Sequence, residues 1–482
     1  MHFTLISRIL GMLLMVFSVT MVPPMLVSLW YQDGSHSAFA IAFVITLSCG
    51  AIMWLPVVKQ KRDLRTGDGF LITSLFWLVL GLFGALPFLL SANPVLSITD
   101  AVFESMSGLT TTGATVITGL DYLPKSILYY RQQLQWLGGI GIIVIAVAIL
   151  PMLGIGGMQL YRAETPGPMK DRKLTPRITE TAKALFLIYV LLTVTCAIAY
   201  WLAGMSAFDA ICHAYSTVAI GGFSTHDASI GYFNSPTIML IACVYMLVAG
   251  INFALHFYAL QQRSIKHYAA DSESRFYTYT ILCAAVIVSG SLIYTRDYNI
   301  PDGIVHGLFQ TISIATTTGF ATAEFATWPS FLPVMLIFLS FMGGCGGSTG
   351  GGMKAVRVML IAKQGVRELS QLVHPNAVIP LKVGNRPVEG KVISAVWAFF
   401  AVYVFSFVVI LILLMATGLD YTTAFSAVVA SLNNLGPGLG DVAAHYGDIS
   451  AVAKWILCFS MLLGRLEVFT LLVLFTPTFW RR

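Results

Sequence analysis

The sequence predicts an all-α polytopic membrane protein in which two N-terminal helices precede four helix–pore loop–helix repeats, arranged with pseudo-fourfold symmetry around one axis. Three observations support this fold class: the composition, the number of long apolar segments and a motif that occurs four times. Of the 482 residues, 57% are hydrophobic and 10% are charged, and the mean hydropathy is +0.80. Soluble domains carry about 25% charged residues, so this composition indicates a chain that lies mostly in a lipid bilayer.

Ten apolar segments approach or reach the length of about 20 residues that a helix needs to cross a bilayer. They lie at residues 9–30, 37–58, 70–90, 127–150, 182–203, 236–260, 276–294, 331–342, 392–417 and 451–475. The first segment is long, has no small-x-small cleavage site and precedes a second apolar segment. We therefore interpret it as a helix and not as a secretory signal.

One motif occurs four times, and each copy ends in a glycine. Aligned without gaps, the copies are residues 100–113 (DAVFESMSGLTTTG), 209–222 (DAICHAYSTVAIGG), 306–319 (HGLFQTISIATTTG) and 423–436 (TAFSAVVASLNNLG). Each has a small residue twelve positions before the glycine and a serine or alanine six positions before it. The terminal glycines are 109, 97 and 117 residues apart, which indicates a fourfold internal repeat.

Each copy predicts a short helix followed by an extended loop. The first part has helical apolar periodicity over about two to three turns, whereas the Thr-, Gly- and Asn-rich end is too polar to continue a membrane helix. Backbone polar groups without helical partners are tolerated within the membrane only where protein buries them or where they line a water-filled cavity. Four such loops in one chain therefore imply one shared cavity. The negative C-terminal ends of four short helices would favour a monovalent cation there, and loop carbonyls could replace its hydration shell.

The repeat divides the chain into five predicted regions. Residues 1–68 form two extra N-terminal transmembrane helices, and the four pore repeats occupy residues 69–181, 182–274, 275–390 and 391–482.

The distribution of lysine and arginine predicts the orientation in the membrane. Of these 28 residues, 23 lie in segments that the positive-inside rule assigns to the cytoplasm: the N-terminal tail, 59–65, 162–183, 263–275, 354–391 and the C-terminus. Both termini are therefore predicted to be cytoplasmic. The other side holds Lys125, Arg131, Arg296 and Lys454 with twelve acidic residues, and a negative mouth attracts cations. The net charge of +6 thus reflects orientation and predicts no nucleic-acid partner.

The four loop sequences resemble those of a known family. TTTGAT at 110–115, AIGGFST at 219–225, TTTGFAT at 316–322 and NNLGPG at 433–438 resemble the filter sequences of the Trk/Ktr/HKT superfamily of potassium transporters. The chain is most similar to the bacterial Trk-type membrane subunits, and the resemblance covers nearly its whole length. It implies uptake of potassium, and also of rubidium, across the bacterial inner membrane.

The resemblance implies a selectivity filter formed by three residues of each loop. These residues are Thr111, Thr112, Gly113, Ile220, Gly221, Gly222, Thr317, Thr318, Gly319, Asn434, Leu435 and Gly436. In this superfamily, glycine at the first filter position accompanies potassium selectivity and serine accompanies sodium, so Gly113 favours potassium. The chain departs from the potassium-channel pattern TVGYG, which predicts fewer ordered ion sites. The fourth loop departs further, because Asn433, Asn434 and Pro437 make the filter asymmetric.

A glycine-rich run interrupts the helix predicted after the third loop. It consists of Gly343, Gly344, Cys345, Gly346, Gly347, Ser348, Thr349, Gly350, Gly351 and Gly352. A helix over residues 331–342 advances only about 18 Å, so the break falls inside the membrane. We interpret the run as an intramembrane gate beneath the filter, as the resemblance implies; the alternative is a cytoplasmic linker. A phosphate-binding loop is disfavoured because no Gly-Lys-Ser/Thr follows.

Arg465 lies about 22 Å into the last apolar segment, where a charge is costly and indicates a function. We interpret it as the second part of the gate, which opposes cation passage until the glycine-rich run moves; the alternative is a structural ion pair. Glu467 is a poor partner within the same helix, because residues two apart face different directions. Glu104 is predicted to be a hydrogen-bonded packing residue and not an ion ligand. The same structural interpretation applies to His213, His256 and His306.

The resemblance also implies two protein partners, namely a second copy in a homodimer and a cytosolic nucleotide-binding ring. The basic stretch 357–391 is either solvated charge or the docking surface for that ring. Potassium is expected as the transported substrate, with no organic cofactor in this chain. Symport is a further expectation, with protons and sodium as alternative coupling ions.

Two other functional classes are weighed against this interpretation. A coupled solute transporter would use an inverted repeat, whereas these repeats run in one direction. A membrane enzyme or ion-pumping ATPase would need a metal cluster or a large phosphorylated domain. The seven cysteines are scattered singly, and no catalytic or phosphate-binding motif is present, so the sequence predicts a protein that is not an enzyme.

Overall fold

The structure is a computed structural model that describes residues 3–58, 66–149, 178–384 and 386–481. Two basic stretches used to predict the orientation, 59–65 and 162–177, lie outside the described residues.

The N-terminal region contains three helices, which make up two runs long enough to cross a membrane, Phe3–Tyr31 and His36–Val57. The helices are α1 (Phe3–Val19), α2 (Val22–Tyr31) and α3 (His36–Trp54). The predicted first span is interrupted because prolines occupy the first turn of α2, where proline begins a helix and does not continue one. Helices α1 and α3 approach closely at Gly11 and Gly50, because a Cβ atom on either glycine would lie 2.7 Å from the other's carbonyl oxygen. Such small-residue contacts are typical of helix packing in membranes.

The remainder of the chain forms four helical units in sequence order. Repeat 1 contains α4 (Thr66–Gly84), α5 (Leu86–Leu90), α6 (Ile98–Leu109) and α7 (Lys125–Ile149). Repeat 2 contains α8 (Ile178–Leu202), α9 (Ala207–Ala219), α10 (Pro236–Ala249), α11 (Phe253–Gln261) and α12 (Lys266–Ala270). Repeat 3 contains α13 (Ser272–Tyr294), α14 (Ile300–Ala315), α15 (Phe331–Leu339) and α16 (Ala355–Val373), followed by the short strands β1 (Lys382–Val383) and β2 (Arg386–Pro387). Repeat 4 contains α17 (Gly390–Ala416), α18 (Tyr421–Leu432), α19 (Ala451–Arg465), α20 (Phe469–Leu472) and α21 (Pro477–Trp480).

The predicted fold class is confirmed: the described residues form a helical, multi-pass membrane protein. The two strands pair only with each other, antiparallel, with Lys382 opposite Pro387 and Val383 opposite Arg386. Six helical runs among the described residues are long and apolar enough to cross a membrane, and two strongly bent pairs would raise the number to eight.

Three further predicted spans in the repeats are strongly bent or end early. The span predicted at 236–260 is bent by 95° between α10 and α11, and the span predicted at 451–475 is bent by 109° after α19. The helix predicted at 331–342 ends at Leu339 after nine residues, which is too short to cross a membrane alone. Hydropathy did not reveal the two bends because apolar residues outnumber the polar residues at them, Asn252 and Glu467, in each predicted span.

The short helix of each repeat begins with a side-chain cap and runs into the protein interior. The N-caps, whose side-chain oxygens accept backbone N–H groups of the first turn, are Ser97, Ser206, Asn299 and Asp420. In α6, every residue from Ala101 to Leu109 is buried. The helix ends, and the loops that follow them, are therefore enclosed by protein, as bare backbone at membrane depth requires.

Candidate functional site

The four short helices end in the same backbone turn. We call residues 110–116, 219–225, 316–322 and 433–439 repeat loops 1 to 4; each spans three residues on either side of the repeated glycine. At the start of every loop, the N–H of the residue before the glycine donates to the carbonyl six positions before the glycine. The pairs are Thr112 with Ser107 at 2.9 Å, Gly221 with Ser216 at 2.8 Å, Thr318 with Ser313 at 2.8 Å and Leu435 with Ala430 at 2.7 Å. This is the Schellman arrangement, and because it uses a backbone carbonyl, alanine serves there as well as serine.

Two left-handed residues in each loop give the four loops one common shape. The first lies two positions before the glycine, and the second is the glycine itself. The φ angles are 56° at Thr111, 55° at Ile220, 68° at Thr317 and 54° at Asn434, and 80°, 80°, 84° and 94° at Gly113, Gly222, Gly319 and Gly436. Such angles strain a non-glycine residue by about 1–3 kcal/mol, most clearly the β-branched Ile220. The surrounding structure therefore holds each loop in a conformation that the chain would not adopt alone.

The four loops close into a ring. A Cβ atom on each repeated glycine would lie under 3.0 Å from the carbonyl oxygen of the residue that precedes the glycine of the next loop. The facing pairs are Gly113 with Gly221, Gly222 with Thr318, Gly319 with Leu435 and Gly436 with Thr112. The last pair returns to the first loop, so the order around the ring is 1, 2, 3, 4. All twelve residues predicted to form the filter are thus brought to one place.

Side chains also connect the loops to each other and to their surroundings. The Asn434 amide donates from Nδ2 to Thr112 Oγ1 at 2.9 Å, which joins loop 4 to loop 1. The Gln135 amide in α7 donates from Nε2 to the carbonyl of Gly221 and accepts the N–H of Phe223. One predicted filter carbonyl, that of Gly221, is therefore hydrogen-bonded to a side chain.

The glycine-rich segment, residues 340–354 between α15 and α16, lies against the ends of the short helices. Gly351 N–H donates to Thr317 Oγ1 at 2.8 Å, and Gly352 N–H donates to the Asn433 carbonyl at 3.0 Å. Thr349 Oγ1 donates to the Val218 carbonyl at 2.9 Å. The segment therefore contacts the C-terminal ends of three of the four short helices.

The bend between α10 and α11 holds the same segment from the opposite side. Cys345 N–H donates to the Gly250 carbonyl at 2.8 Å, and Phe253 N–H donates to the Gly347 carbonyl at 3.0 Å. Glu273, in the first turn of α13, accepts Gly346 N–H at 2.6 Å and Val356 N–H at 3.1 Å on one carboxylate oxygen. This carboxylate connects the glycine-rich segment to the start of α16.

Arg465, the last residue of α19, connects loop 1 to the glycine-rich segment. Its Nη1 donates to Thr111 Oγ1 at 3.0 Å and to the Thr349 carbonyl at 3.2 Å, and its Nη2 donates to the Gly138 carbonyl at 2.7 Å. Glu467 lies beyond the end of the helix and pairs with Arg357 at 2.6 Å. The two predicted gate elements, the glycine-rich run and Arg465, are therefore in direct contact.

Arg131, predicted only to lie on the side opposite the cytoplasm, is buried among the loops. Arg131 is only 1% exposed, and its Nε pairs with Glu104 Oε1 at 2.7 Å. A charged residue inside the apolar segment 127–150 was the available signal, because ionisable groups at membrane depth are rare and paired. Glu104 is hydrogen-bonded, as predicted. The histidines are also hydrogen-bonded as predicted, His213 to Asp209 and Ser224, His256 to Tyr268 and Val248, and His306 to Thr322.

Comparison with known proteins places the chain in a family. A family model described as "TrkH: Cation transport protein" matches residues 35–482. The chain belongs to the TrkH family. The family consists of transport proteins, so the predictions of a Trk-type transporter and of a protein that is not an enzyme are confirmed.

Relatives of this TrkH-family chain match it from end to end. The "Trk system potassium uptake protein TrkH" of Halomonas elongata is 59% identical over 482 residues, and that of Vibrio parahaemolyticus is 58% identical over 484 residues, with 100% of each chain covered. The "Trk system potassium uptake protein TrkG" of Escherichia coli is 42% identical over 480 residues, covering 100% of this chain and 99% of the relative. The crystal structure of the potassium transporter TrkH from Vibrio parahaemolyticus superimposes with a TM-score of 0.92 at 55% identity, covering 100% of both chains.

Proposed function

We propose that this TrkH-family chain carries potassium into the cell across the bacterial inner membrane, with the ring of repeat loops as its selectivity filter. Full-length relatives at 56–59% identity are named potassium uptake proteins, which supports potassium as the substrate. The closed ring of four loops supports the location of the filter, and it is the observation on which the proposal depends. Rubidium, which is similar in size to potassium, is a second substrate.

The chemistry of the ring suits a large monovalent cation. Four short helices direct their C-terminal ends, each with about half a negative charge, toward the ring. Backbone carbonyls can replace the hydration shell of potassium when their number and spacing match the ion. The backbone shape of each loop is set by two left-handed residues, so these carbonyls are held in place before an ion arrives.

We further propose that the glycine-rich segment and Arg465 together close the path below the ring. The segment contacts the ends of three short helices, and Arg465 extends the contact to Thr111 in the remaining loop. Two like charges about 4 Å apart repel by about 4 kcal/mol at a protein surface. A guanidinium in this position therefore opposes a cation until the segment moves.

Regulation is proposed to reach the gate through α16, which begins where the glycine-rich segment ends. A cytosolic nucleotide-binding ring that binds the basic stretch 357–391 would pull on α16 and so on the segment. Both termini are proposed to face the cytoplasm, and the membrane subunit is proposed to form a homodimer. The regions 1–68, 69–181, 182–274, 275–390 and 391–482 are the proposed structural units.

Rubidium-86 uptake into proteoliposomes tests the filter. The purified chain is reconstituted alone, and uptake is measured in competition with potassium, rubidium, sodium and lithium. Potassium and rubidium are expected to block uptake far more strongly than sodium or lithium. Equal competition by all four ions would contradict the filter, and solute-dependent currents without rubidium uptake would favour a coupled solute transporter.

A partial deletion of the glycine-rich segment tests the gate. Removal of residues 345–348 is expected to raise rubidium flux in the absence of any partner. The matched control is the removal of four residues, 376–379, from the connection between α16 and β1. This deletion should leave the flux unchanged. If flux of the 345–348 deletion equals that of the unmodified chain, the gate lies elsewhere.

A further inference from the structure

A buried ion pair lies beside the ring. Its two residues are not among the twelve that are predicted to form the filter. Arg131 in α7 and Glu104 in α6 are 1% and 0% exposed. Burying two charges is costly, and the attraction between them offsets that cost only when further hydrogen bonds satisfy both groups. A pair of this kind at membrane depth is a candidate for a function.

The Arg131 guanidinium donates to equivalent positions of two neighbouring loops. Nη1 donates to the Ser224 carbonyl in loop 2 at 3.0 Å, and Nη2 donates to Thr115 Oγ1 in loop 1 at 3.0 Å. Both Ser224 and Thr115 lie two residues after their repeated glycine. The guanidinium also lies over the Phe223 ring, 4.2 Å from its centroid. One rigid, planar group thus sets the separation between loops 1 and 2.

Glu104 holds loop 1 from the other side of the pair. Its Oε2 accepts Val116 N–H at 3.0 Å, and its carboxylate also accepts Thr115 Oγ1–H at 3.0 and 3.1 Å. The charge-assisted bonds from Arg131 and the loop backbone therefore converge on one carboxylate.

The position of Glu104, nine residues before the repeated glycine, has a comparable role in two other repeats. His213 Nε2 is hydrogen-bonded to Ser224 Oγ at 2.9 Å, and Gln310 Oε1 accepts Thr322 N–H at 3.4 Å. In repeat 4 the position is Ala427, and the preceding Ser426 accepts Leu439 N–H at 2.8 Å. A side chain of the short helix thus holds the loop beyond the glycine in every repeat. Of these four, Glu104 is the one that carries a formal charge and pairs with an arginine that spans two loops.

We infer that the Glu104–Arg131 pair is a positioning element that sets the spacing between loops 1 and 2 and thereby the discrimination of potassium from sodium. Sodium is smaller, so the ring would have to contract to bind it as well as it binds potassium. A guanidinium bonded to both loops resists that contraction. The inference rests on the proposed function of the ring as a filter.

The test compares the potassium and sodium concentrations that halve rubidium-86 uptake by the full chain in proteoliposomes. Arg131→Lys keeps the charge but cannot reach both loops and the carboxylate, so the sodium-to-potassium ratio is expected to fall about tenfold, as a loss of about 1.4 kcal/mol of discrimination would produce. Glu104→Gln is expected to have a smaller effect in the same direction. An unchanged ratio in folded Arg131→Lys would overturn the inference.

A second ion pair of the same short helix supplies the matched control. Lys454 Nζ donates to Asp100 Oδ1 at 2.6 Å, at the start of α6 and thirteen residues before the repeated glycine. Lys454→Gln should leave the ratio unchanged, and a fall as large as that of Arg131→Lys would overturn the inference by showing a general loss of packing.

Two further variants, Thr115→Val and Gly113→Ser, test the inference if Arg131→Lys does not fold and separate it from the filter proposal. If Arg131→Lys does not fold, as judged by size-exclusion chromatography, Thr115→Val is used instead. It removes the hydroxyl that joins Arg131 and Glu104 and that also accepts Ile117 N–H at 3.1 Å. The sodium-to-potassium ratio of Thr115→Val is expected to fall about threefold, and no change would overturn the inference.

Gly113→Ser separates the positioning role of the ion pair from the proposed role of the ring as a filter. A fall in the ratio of Gly113→Ser without any fall in the pair variants rejects the positioning role alone, whereas an unchanged ratio in Gly113→Ser rejects the filter itself.

Discussion

The four repeat loops and the glycine-rich segment are both irregular backbone at membrane depth, yet they are held in different ways. Each loop packs against its neighbours in the ring and repeats the same turn, the same left-handed pair and the same facing carbonyl. The glycine-rich segment occurs once, and its contacts come from elements of three different repeats, including Val218, Thr317 and Arg465.

This difference suits the two proposed roles. In the ring, a shift of one loop disturbs its neighbours, so the ring resists deformation and can discriminate ions by size. The segment is held by hydrogen bonds to side chains and to backbone groups of other elements, each of which contributes about 0.5–3 kcal/mol. Loss of one or two such bonds is enough to shift a closed segment toward an open one. The predictions below test whether the loops are rigid and the segment is movable.

The largest effect is expected from Gly113→Ser. Gly113 has φ of 80°, and a Cβ atom there would lie under 3.0 Å from the Gly221 carbonyl oxygen. A left-handed conformation costs a non-glycine residue about 1–2 kcal/mol, so the preference for potassium over sodium in rubidium-86 competition should fall about tenfold. Gly119→Ser is the matched control, because Gly119 has φ of 71° and open space around its Cβ position. The same fall in Gly119→Ser would mean that the ring itself is not responsible.

Arg465→Ala tests the charge below the ring. The substitution removes the bonds to Thr111 and Thr349 as well as the positive charge. Loss of a charged hydrogen bond is worth about 1.5–3 kcal/mol, and about 1.4 kcal/mol is tenfold, so basal rubidium flux without any partner protein should rise about tenfold, while ion preference stays unchanged. Arg296→Ala, in an exposed loop, is the control. Basal flux equal to that of the unmodified chain would indicate that Arg465 is structural.

Glu273→Gln tests the attachment of the glycine-rich segment to α16. Glutamine keeps one acceptor oxygen for Gly346 and Val356 but loses the negative charge, and neutral hydrogen bonds are weaker than charge-assisted ones by about half. Basal flux should therefore rise about threefold, less than in Arg465→Ala. Glu324→Gln is an exposed control. A lower flux in Glu273→Gln would mean that this carboxylate favours the open segment.

The smallest effect is expected at His226, outside the helices. Burial lowers its pKa, but the carboxylates of Asp209, 3.5 Å from Nε2, and of Asp121, hydrogen-bonded to Nδ1, outweigh burial and raise the pKa above its ordinary value. The stabilisation is therefore complete below the unfolded pKa of about 6.5 and is lost as the pH rises through the higher folded pKa. His226→Gln should remove this part of the pH dependence of the thermal unfolding midpoint. His445→Gln is the control, because His445 lies 4.0 Å from the exposed Asp448; an equal change there would show that the effect is not specific to His226.

Much of the architecture could be predicted from the sequence because it depends on local patterns. The four motif copies predicted short helices, and all four are present, ending within four residues of the repeated glycine. The glycine-rich run predicted a helix break, and the structure has one between Leu339 and Ala355. Glycine content and apolar periodicity act over a few residues, so they can be read along the chain.

The bends after Ala249 and Arg465 depended instead on contacts between distant parts of the chain. Backbone groups freed at the first bend, at Gly250 and Phe253, bond to the glycine-rich segment about 95 residues later in the chain. Hydropathy reports the polarity of side chains and carries no information about where freed backbone groups find partners.

The sequence by itself determined the membrane class, the fourfold repeat and the positions of the left-handed glycines, because each follows from composition or short-range pattern. Only the tertiary structure decided which carbonyl faces which glycine, which loop oxygens receive Arg465, and that Arg131 is buried with Glu104 between two loops. Those arrangements join residues from 27 to 354 positions apart. A buried charge has to find a partner, but its position in the chain does not say which of many distant oxygens will be within reach once the helices have packed.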